Sequence, residues 1–199
     1  MKKRISMVDR RTGETDIRVK LNLDGEGKCS LHSELPFLNH MLTLFCRHGF
    51  FDLQLECKGD IEVGTHHSLE DLGICIGRAI KEALGDKSAI RRYGFYLLPM
   101  DEVLVRTAID LSGRGRIFFH IPGRKIGRIG QIDGEDWQEF FTALAYAGGF
   151  TLHIDLLKGE NMHHMIEGIF KAFARTLDQA IEEEKRLKGD IPSSKGLLT

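Results

Sequence analysis

The chain contains the same arrangement of residues twice, and this internal duplication restricts its fold more than any other feature. A His-His-x-x-Glu sequence occurs at residues 66–70 and again, 97 residues later, at residues 163–167. Each copy follows a Gly-containing turn and a segment of the form Phe-x-Leu-x-Leu/Ile, which begins at Phe51 in one case and at Phe150 in the other. We therefore predict a single unit built of two related halves, residues 1–90 and 91–199, around a pseudo-twofold axis.

The spacing of apolar residues predicts a mixture of helices and strands in each half. Apolar residues three and four apart predict helices at 36–48, 66–84, 134–147 and 161–188. Alternating β-branched or aromatic residues predict strands at 17–23, 51–56, 103–111, 117–121 and 150–156. The sequence therefore predicts an α+β fold with internally duplicated sheet-and-helix halves.

Composition argues against several classes of protein. The 28 basic and 29 acidic residues nearly cancel, which disfavours a nucleic-acid binder. No stretch of 18 apolar residues predicts a membrane span, and the N-terminus has no apolar signal-peptide core, so we expect a cytoplasmic protein. The four cysteines show no CxxC pairing, which favours reduced, buried thiols: Cys29, Cys46, Cys57 and Cys75.

The two His-His-x-x-Glu copies are candidate metal ligands. On a helix, the first histidine and the glutamate lie on one face, whereas the second histidine points about 100° away, so adjacent histidines suit two different ions. Imidazole and carboxylate without thiolate favour manganese, iron or zinc. The candidate ligands are His66, His67, Glu70, His163, His164 and Glu167.

One further pair of ligands follows from the duplication. His40 precedes Phe51 by 11 residues, and Glu139 precedes Phe150 by 11 residues. The two residues therefore occupy equivalent positions on the predicted helices, and both side chains can coordinate a divalent cation. Either one alone would be read as an ordinary solvated helix residue.

Three segments combine cations or hydroxyl groups with glycine-permitted turns, as an oxyanion site requires. They are residues 91–94, 112–116 and 192–196, which contain Arg92, Arg114, Ser193, Ser194 and Lys195. The sequence has neither GxxxxGK[ST] nor GxGxxG, so no nucleotide cofactor is implied.

The chain resembles the imidazoleglycerol-phosphate dehydratase family over nearly its whole length. The matching phrases include Phe-Leu-Asn-His-Met-Leu at 37–42, His-His-x-x-Glu-Asp at 66–71, Pro-Met-Asp-Glu at 99–102, Asp-Leu-Ser-Gly-Arg at 110–114, Asn-x-His-His-x-x-Glu at 161–167 and Pro-Ser-Ser-Lys-Gly at 192–196. The resemblance implies a fold similar to the ribosomal protein S5 domain 2-like fold. It also implies dehydration of D-erythro-imidazole glycerol phosphate to imidazole acetol phosphate and water, in L-histidine biosynthesis.

The resemblance further implies two Mn²⁺ per active site and a homo-oligomer of 24 subunits with sites at subunit interfaces. One manganese would be held by His40, His67, His163 and Glu167, and the other by His66, Glu70, His164 and the residue at position 139, commonly His in the family. The catalytic residues would be Glu14, His48 and Lys171. Substrate contacts would come from Glu14, His40, His48, Arg92, Arg114, Lys171, Ser193, Ser194 and Lys195.

Some alternatives stay open on the sequence alone. Glu14 is either the base that removes a carbon-bound proton or an exposed residue of a turn. Helices rich in His and Glu also build metal stores and metal-assembled structural proteins, and an RNA-binding α+β module has a similar fold. Phosphate-type loops without a basic stripe favour a small phosphorylated imidazole substrate, with no nucleic-acid or membrane partner.

Overall fold

The computed structural model describes residues 3–121 and 126–198, whose elements form two halves of the same order. The first half contains β1 (Ile5–Arg11), β2 (Thr15–Asn22), β3 (Cys29–Ser33), α1 (Pro36–Gly49), β4 (Asp52–Gly59) and α2 (His66–Leu84). The second contains β5 (Tyr93–Met100), β6 (Val103–Asp110), β7 (Arg116–His120), α3 (Gly134–Gly148), β8 (Thr151–Lys158) and α4 (Met162–Ile181), followed by a 3₁₀ turn at Lys185–Leu187. The predicted duplicated α+β fold is confirmed.

The two four-stranded sheets have the same topology, with strand orders β1-β2-β4-β3 and β5-β6-β8-β7. Neighbouring strands are antiparallel, except that β3 pairs parallel with β4 and β7 pairs parallel with β8. Parallel strands that follow each other in the chain need a crossover connection. Helices α1 and α3 provide these crossovers, and both therefore occupy equivalent places in the two halves.

Each sheet has one buried face, which the helices cover. In β2, Ile17, Val19 and Leu21 are buried, while Arg18 and Lys20 between them are exposed. This alternation is the period-two pattern of a strand with one face on the core and one face in solvent.

The helices pack in pairs across the two halves, α1 against α4 and α2 against α3. In the first pair, here called the α1–α4 seam, Phe45 and Phe173 stack with ring centroids 5.6 Å apart. In the second pair, the α2–α3 seam, a Cβ on Gly73 would lie 2.4 Å from the Phe140 carbonyl oxygen. The α2–α3 seam is therefore a close approach of two backbones.

Three strands were not predicted, because their side chains break the expected alternation. β3 has no fully buried residue. In β1, Ser6 is buried and Met7 is exposed, which inverts the usual pattern. In β5, Phe95 and Leu97 lie on the exposed face, so apolar residues occur on both faces of the strand.

The predicted helix at 161–188 is too long, since α4 ends at Ile181. Beyond it the backbone pairs with the segment before β5: the Arg91 N–H donates to the Glu182 carbonyl at 2.9 Å, and the Glu184 N–H donates to the Ala89 carbonyl at 2.8 Å. These bonds satisfy backbone groups that a longer helix would have used internally.

All four cysteines are free, but Cys29 is exposed, so the expectation of burial is wrong for this residue. Its strand lies at the edge of the first sheet. Burial raises the pKa of the Cys57 thiol to about 12 and that of Cys75 to about 11. Within residues 3–121 and 126–198, no helix is both long enough and apolar enough to cross a bilayer.

Candidate metal centre and active site

The α1–α4 seam brings three predicted metal ligands to one point. One ring nitrogen of His40, one of His163 and one carboxylate oxygen of Glu167 lie within 4.8 Å of one another. The Nε2 atoms of His163 and His40 are 3.2 Å and 3.8 Å from Glu167 Oε2. Within the described part of the chain, no other group of three such donors lies so close together. Two imidazoles and one carboxylate form a donor set suited to a divalent transition metal.

Local sequence places these donors in the first two turns of their helices. Pro36 begins α1, where a missing N–H costs nothing. The Asn161 side chain caps α4 by accepting hydrogen bonds from the His163 and His164 N–H groups, at 2.9 Å and 3.4 Å. The helical period then brings Glu167 over His163.

Lys171 and His48 continue this row along the α1–α4 seam. The Lys171 ammonium is 2.6 Å from Glu167 Oε1. Burial alone would raise the pKa of Glu167, but the hydrogen bond and positive charge of Lys171 lower it overall. Burial, together with the cations of Lys171 and Arg175, lowers the pKa of His48. The predicted residues His40, His163, Glu167 and Lys171 therefore form one connected group, and His48 lies within electrostatic reach of Lys171 and Glu167.

The equivalent position on the α2–α3 seam holds His66. Its Nε2 is 3.4 Å from Glu70 Oε2, and its Nδ1 is 3.6 Å from Asp136 Oδ1. Glu139 is half-buried on α3, one turn beyond Asp136. None of the ion pairs among the described residues includes Glu139, so its role as a ligand stays a prediction.

The second histidine of each pair is held by a carboxylate. His67 Nδ1 is 3.0 Å from Asp60 Oδ2, and His164 Nδ1 is 3.0 Å from Glu102 Oε2. These hydrogen bonds raise the pKa of both imidazoles, and the one from His164 lowers the pKa of Glu102 to about 2. A carboxylate on Nδ1 leaves Nε2 as the ligating nitrogen, as is usual for metal-bound histidines.

Glu14 lies beside His67, in the turn between β1 and β2. Its Oε1 is 3.7 Å from His67 Nε2, and its side chain is 54% exposed. The structure thus brings the predicted base next to a predicted ligand. His67 itself is not part of the His40, His163 and Glu167 group.

The predicted phosphate contacts gather at the other end of α4. Arg92 donates to Asp110 at 2.8 Å and to the Pro192 carbonyl at 2.9 Å, while Arg114 Nη2 is 3.7 Å from Asp110. Arg92 has a φ of 74°, a strained value for a residue with a side chain. The turn that contains Ser193, Ser194 and Lys195 directly follows Pro192, and the Lys195 N–H donates to the Ser193 hydroxyl oxygen within it.

Several acidic residues of the site were missed at the level of sequence. Asp60, Glu102, Asp110 and Asp136 each contact a predicted functional residue, but none belongs to a repeated motif. Glu102 and Asp110 lie within phrases that match the family, which was the available signal for these two.

Comparison with known proteins gives a consistent result. A family profile described as imidazoleglycerol-phosphate dehydratase matches residues 33–177. The protein of that name from Acinetobacter baylyi is 50% identical over 198 residues, covering 100% of this chain and 98% of its own length. The chain belongs to the imidazoleglycerol-phosphate dehydratase family. The dehydratase from Acetivibrio thermocellus is 49% identical over 191 residues, covering 96% of this chain and 97% of its own.

Crystal structures of the family share the fold. The imidazoleglycerol-phosphate dehydratase from Staphylococcus aureus matches with a TM-score of 0.79 and 38% identity, covering 90% of this chain and 99% of that one. The Pyrococcus furiosus enzyme, solved in complex with (S)-C348, matches with a TM-score of 0.82 and 31% identity, covering 96% and 100%. Membership of this family assigns the chain a hydro-lyase activity on imidazoleglycerol phosphate.

Proposed function

We propose that the chain catalyses the manganese-dependent dehydration of D-erythro-imidazole glycerol phosphate to imidazole acetol phosphate, a step of L-histidine biosynthesis. The observation that carries the metal dependence is the convergence of His40, His163 and Glu167, whose donor atoms lie within 4.8 Å of one another. This set contains nitrogen and oxygen donors and no thiolate, which fits manganese. Bound manganese would act as a Lewis acid on the imidazole ring of the substrate.

Two manganese ions per active site are proposed from the ligand sets of the two seams. His40, His67, His163 and Glu167 would hold one ion, and His66, Glu70, Glu139 and His164 would hold the other. In the first set, His67 lies outside the cluster of His40, His163 and Glu167, and in the second set His164 is not paired with His66 or Glu70 within one chain. We therefore propose that His67 and His164 reach the ions from neighbouring copies.

The distance between the metal cluster and the phosphate residues also supports sites shared between chains. His163 is near the start of α4, whereas the Arg92 N–H donates to the carbonyl of Ala180 near its end. At about 1.5 Å per residue, these points are about 25 Å apart along the helix. The substrate spans only on the order of 8 Å from ring to phosphate by ordinary bond lengths. One copy would therefore supply the metal cluster and another copy the phosphate contacts.

Sites shared between copies require a homo-oligomer, and we propose the 24 subunits that the family resemblance implies. The surface supports association. The outer face of the second sheet exposes Tyr93, Phe95, Leu97 and Phe118. An exposed apolar face of this kind is typical of a protein–protein contact. The free thiols are in keeping with a cytoplasmic location.

The chain's own residues supply groups for the proton transfers. The reaction breaks a C–H bond and the C–O bond of the neighbouring carbon, forms a C=C bond between these carbons, and releases the proton and hydroxyl as water. The resulting enol becomes a ketone when it loses its O–H proton and gains a proton on carbon. Glu14, exposed beside His67, can accept the carbon-bound proton. Lys171 and His48, at the α1–α4 seam, can donate hydrogen bonds to the side-chain oxygens and hold the reacting carbons in place.

The activity is tested by measuring the enolizable ketone formed from imidazole glycerol phosphate with added Mn²⁺. We expect turnover that a chelator abolishes and that added Mn²⁺ restores. Manganese binding without any turnover would contradict the proposal and favour a metal store.

Mixing two inactive variants tests the shared site. Assembly of His163→Ala with Arg92→Ala from a common metal-free mixture should recover activity that neither has alone, because some sites receive an intact half from each chain. The control mixture, His163→Ala with Glu167→Ala, should stay inactive because both variants damage the same half. No recovery in the first mixture would contradict a site shared between chains.

A further inference from the structure

Asp136 is a buried acid that faces a predicted metal ligand without being one itself. It lies in the first turn of α3 and is 7% exposed. One carboxylate oxygen accepts a hydrogen bond from the hydroxyl of Thr65, the residue before α2. The other oxygen is 3.6 Å from His66 Nδ1. The carboxylate therefore links α3 to the start of α2 at the point where His66 begins the helix.

We propose that Asp136 is a positioning residue for His66, an inference that rests on the proposed role of His66 as a metal ligand. A carboxylate beside Nδ1 stabilises the tautomer that carries its proton there. The Glu70 carboxylate beside Nε2 favours the opposite tautomer, but its side chain is 47% exposed and its charge is screened by water, whereas the Asp136 side chain is only 10% exposed. The lone pair is then on Nε2, the nitrogen that faces Glu70 at 3.4 Å. His66 and Glu70 would therefore present their donor atoms together, as the second manganese site requires.

Thr65 fixes the orientation of the Asp136 carboxylate. Because its hydroxyl donates to Oδ2, the carboxylate cannot rotate freely, and Oδ1 stays toward the imidazole. Thr65 is itself 5% exposed, so water does not compete readily for this hydrogen bond. A small rotation of the half-exposed His66 ring would shorten the 3.6 Å contact to a hydrogen bond.

The equivalent position in the first half holds a different kind of residue. Asp136 lies three residues before Glu139, and Phe37 lies three residues before His40. The Phe37 ring meets the His163 ring edge-on, with centroids 5.0 Å apart. The ring of His163 is thus in contact with an aromatic ring, whereas the ring of His66 faces a carboxylate. The proposed positioning by a buried acid therefore applies to the α2–α3 seam and not to the equivalent position on the α1–α4 seam.

The test uses Asp136→Asn, with Glu135→Gln as the control for loss of an acid in the same helical turn. In the Asn variant, Thr65 can still donate to the amide oxygen, which leaves the NH₂ group facing His66 Nδ1. An NH₂ donor favours the opposite tautomer, with the proton on Nε2. Nitrogen-15 NMR of the metal-free protein at alkaline pH, where the rings are neutral, reports the tautomer directly.

We expect the His66 proton to move from Nδ1 toward Nε2 in Asp136→Asn and to stay on Nδ1 in Glu135→Gln. By isothermal titration with Mn²⁺, Asp136→Asn should bind one manganese per chain at least about tenfold more weakly, with the other unchanged. Thr65→Val should weaken the same site by less.

The inference would be overturned if wild type and Asp136→Asn have the same His66 tautomer. It would also be overturned if wild type binds two manganese ions and Asp136→Asn binds both with the same affinities as wild type. Wild-type protein that binds no manganese would instead contradict the proposed function, and the tautomer comparison would still decide whether Asp136 orients His66.

Discussion

The α1–α4 and α2–α3 seams occupy equivalent places in the duplicated fold, but their charges differ. On the α1–α4 seam, the carboxylate of Glu167 is balanced by Lys171 at 2.6 Å. On the α2–α3 seam, the position equivalent to Lys171 holds Ile74. The acids of this second seam are Glu70, Asp136 and Glu139. The duplication has kept the positions of the proposed ligands, while the groups around them have diverged.

The two seams also differ in packing. Phenylalanines fill the α1–α4 seam, where Phe45 stacks on Phe173. Glycines bring the helices together at the α2–α3 seam, where Gly73 and Gly77 lie against the carbonyls of Phe140 and Leu144. Each seam therefore positions its proposed ligands by a different physical means, and we expect the two proposed metal sites to respond differently to the same change.

The largest expected effect is on the packing of the α1–α4 seam. Phe173→Ala should lower the free energy of unfolding by about 3–5 kcal/mol, because a fully buried aromatic ring is lost. At the other seam, Gly73→Ala should cost about 1–3 kcal/mol, because its Cβ would lie 2.4 Å from the Phe140 carbonyl oxygen and the two helix backbones must move apart. Denaturant titration of both metal-free variants checks this order. A larger loss for Gly73→Ala would mean that the α2–α3 seam is the less tolerant of the two.

The next effect concerns Glu139 as a ligand of the second manganese. Glu139→Ala should weaken the binding of one manganese per chain by about 100-fold or more and remove most turnover. Loss of a residue that only hydrogen-bonds to a ligand already lowers metal affinity by about 10–100-fold, and loss of a ligand should cost at least as much. Glu139→His should keep two ions and substantial turnover, since imidazole replaces one donor by another. Elemental analysis after dialysis measures this, with the neighbouring exposed Gln138→Ala as control. Two tightly held ions in Glu139→Ala would show that Glu139 is only a solvated helix residue.

The smallest effect tests the charge difference directly. Lys171→Met should tighten manganese binding at the first site by about 1 kcal/mol, since a positive charge near Glu167 is removed. Ile74→Lys should weaken the second site by a similar amount. Turnover should fall in Lys171→Met because the proposed contact to the substrate is lost. Unchanged Mn²⁺ affinities in both titrations would show that these charges do not set the difference between the sites.

The duplication made much of the fold accessible from the sequence. Three of the four helices, α1, α2 and α3, were predicted to within one residue at each end because their apolar residues recur at a regular spacing. Strands with one polar face, such as β2, follow a period of two. β5 does not, because its outer face carries Phe95 and Leu97, and a sequence pattern cannot distinguish a core face from an apolar surface.

The candidate site was predictable only in part. Repetition pointed to His40 and His163, and the structure brings them together. Asp136 could not be found in this way, because its counterpart is Phe37 and no repeated motif contains it. Its role depends on α3 packing across the molecule onto the start of α2, a contact that spacing along the chain does not encode.

The central claim is that each seam holds its own manganese in a dehydratase site, and metal content measured with turnover tests it most directly. Wild-type protein, loaded with Mn²⁺ and dialysed, should contain two manganese ions per chain and form the ketone product. His163→Ala should keep one ion and lose at least about 100-fold in turnover, since a direct ligand is removed. Two ions and normal turnover in His163→Ala, or a fully active wild type without manganese, would contradict the account.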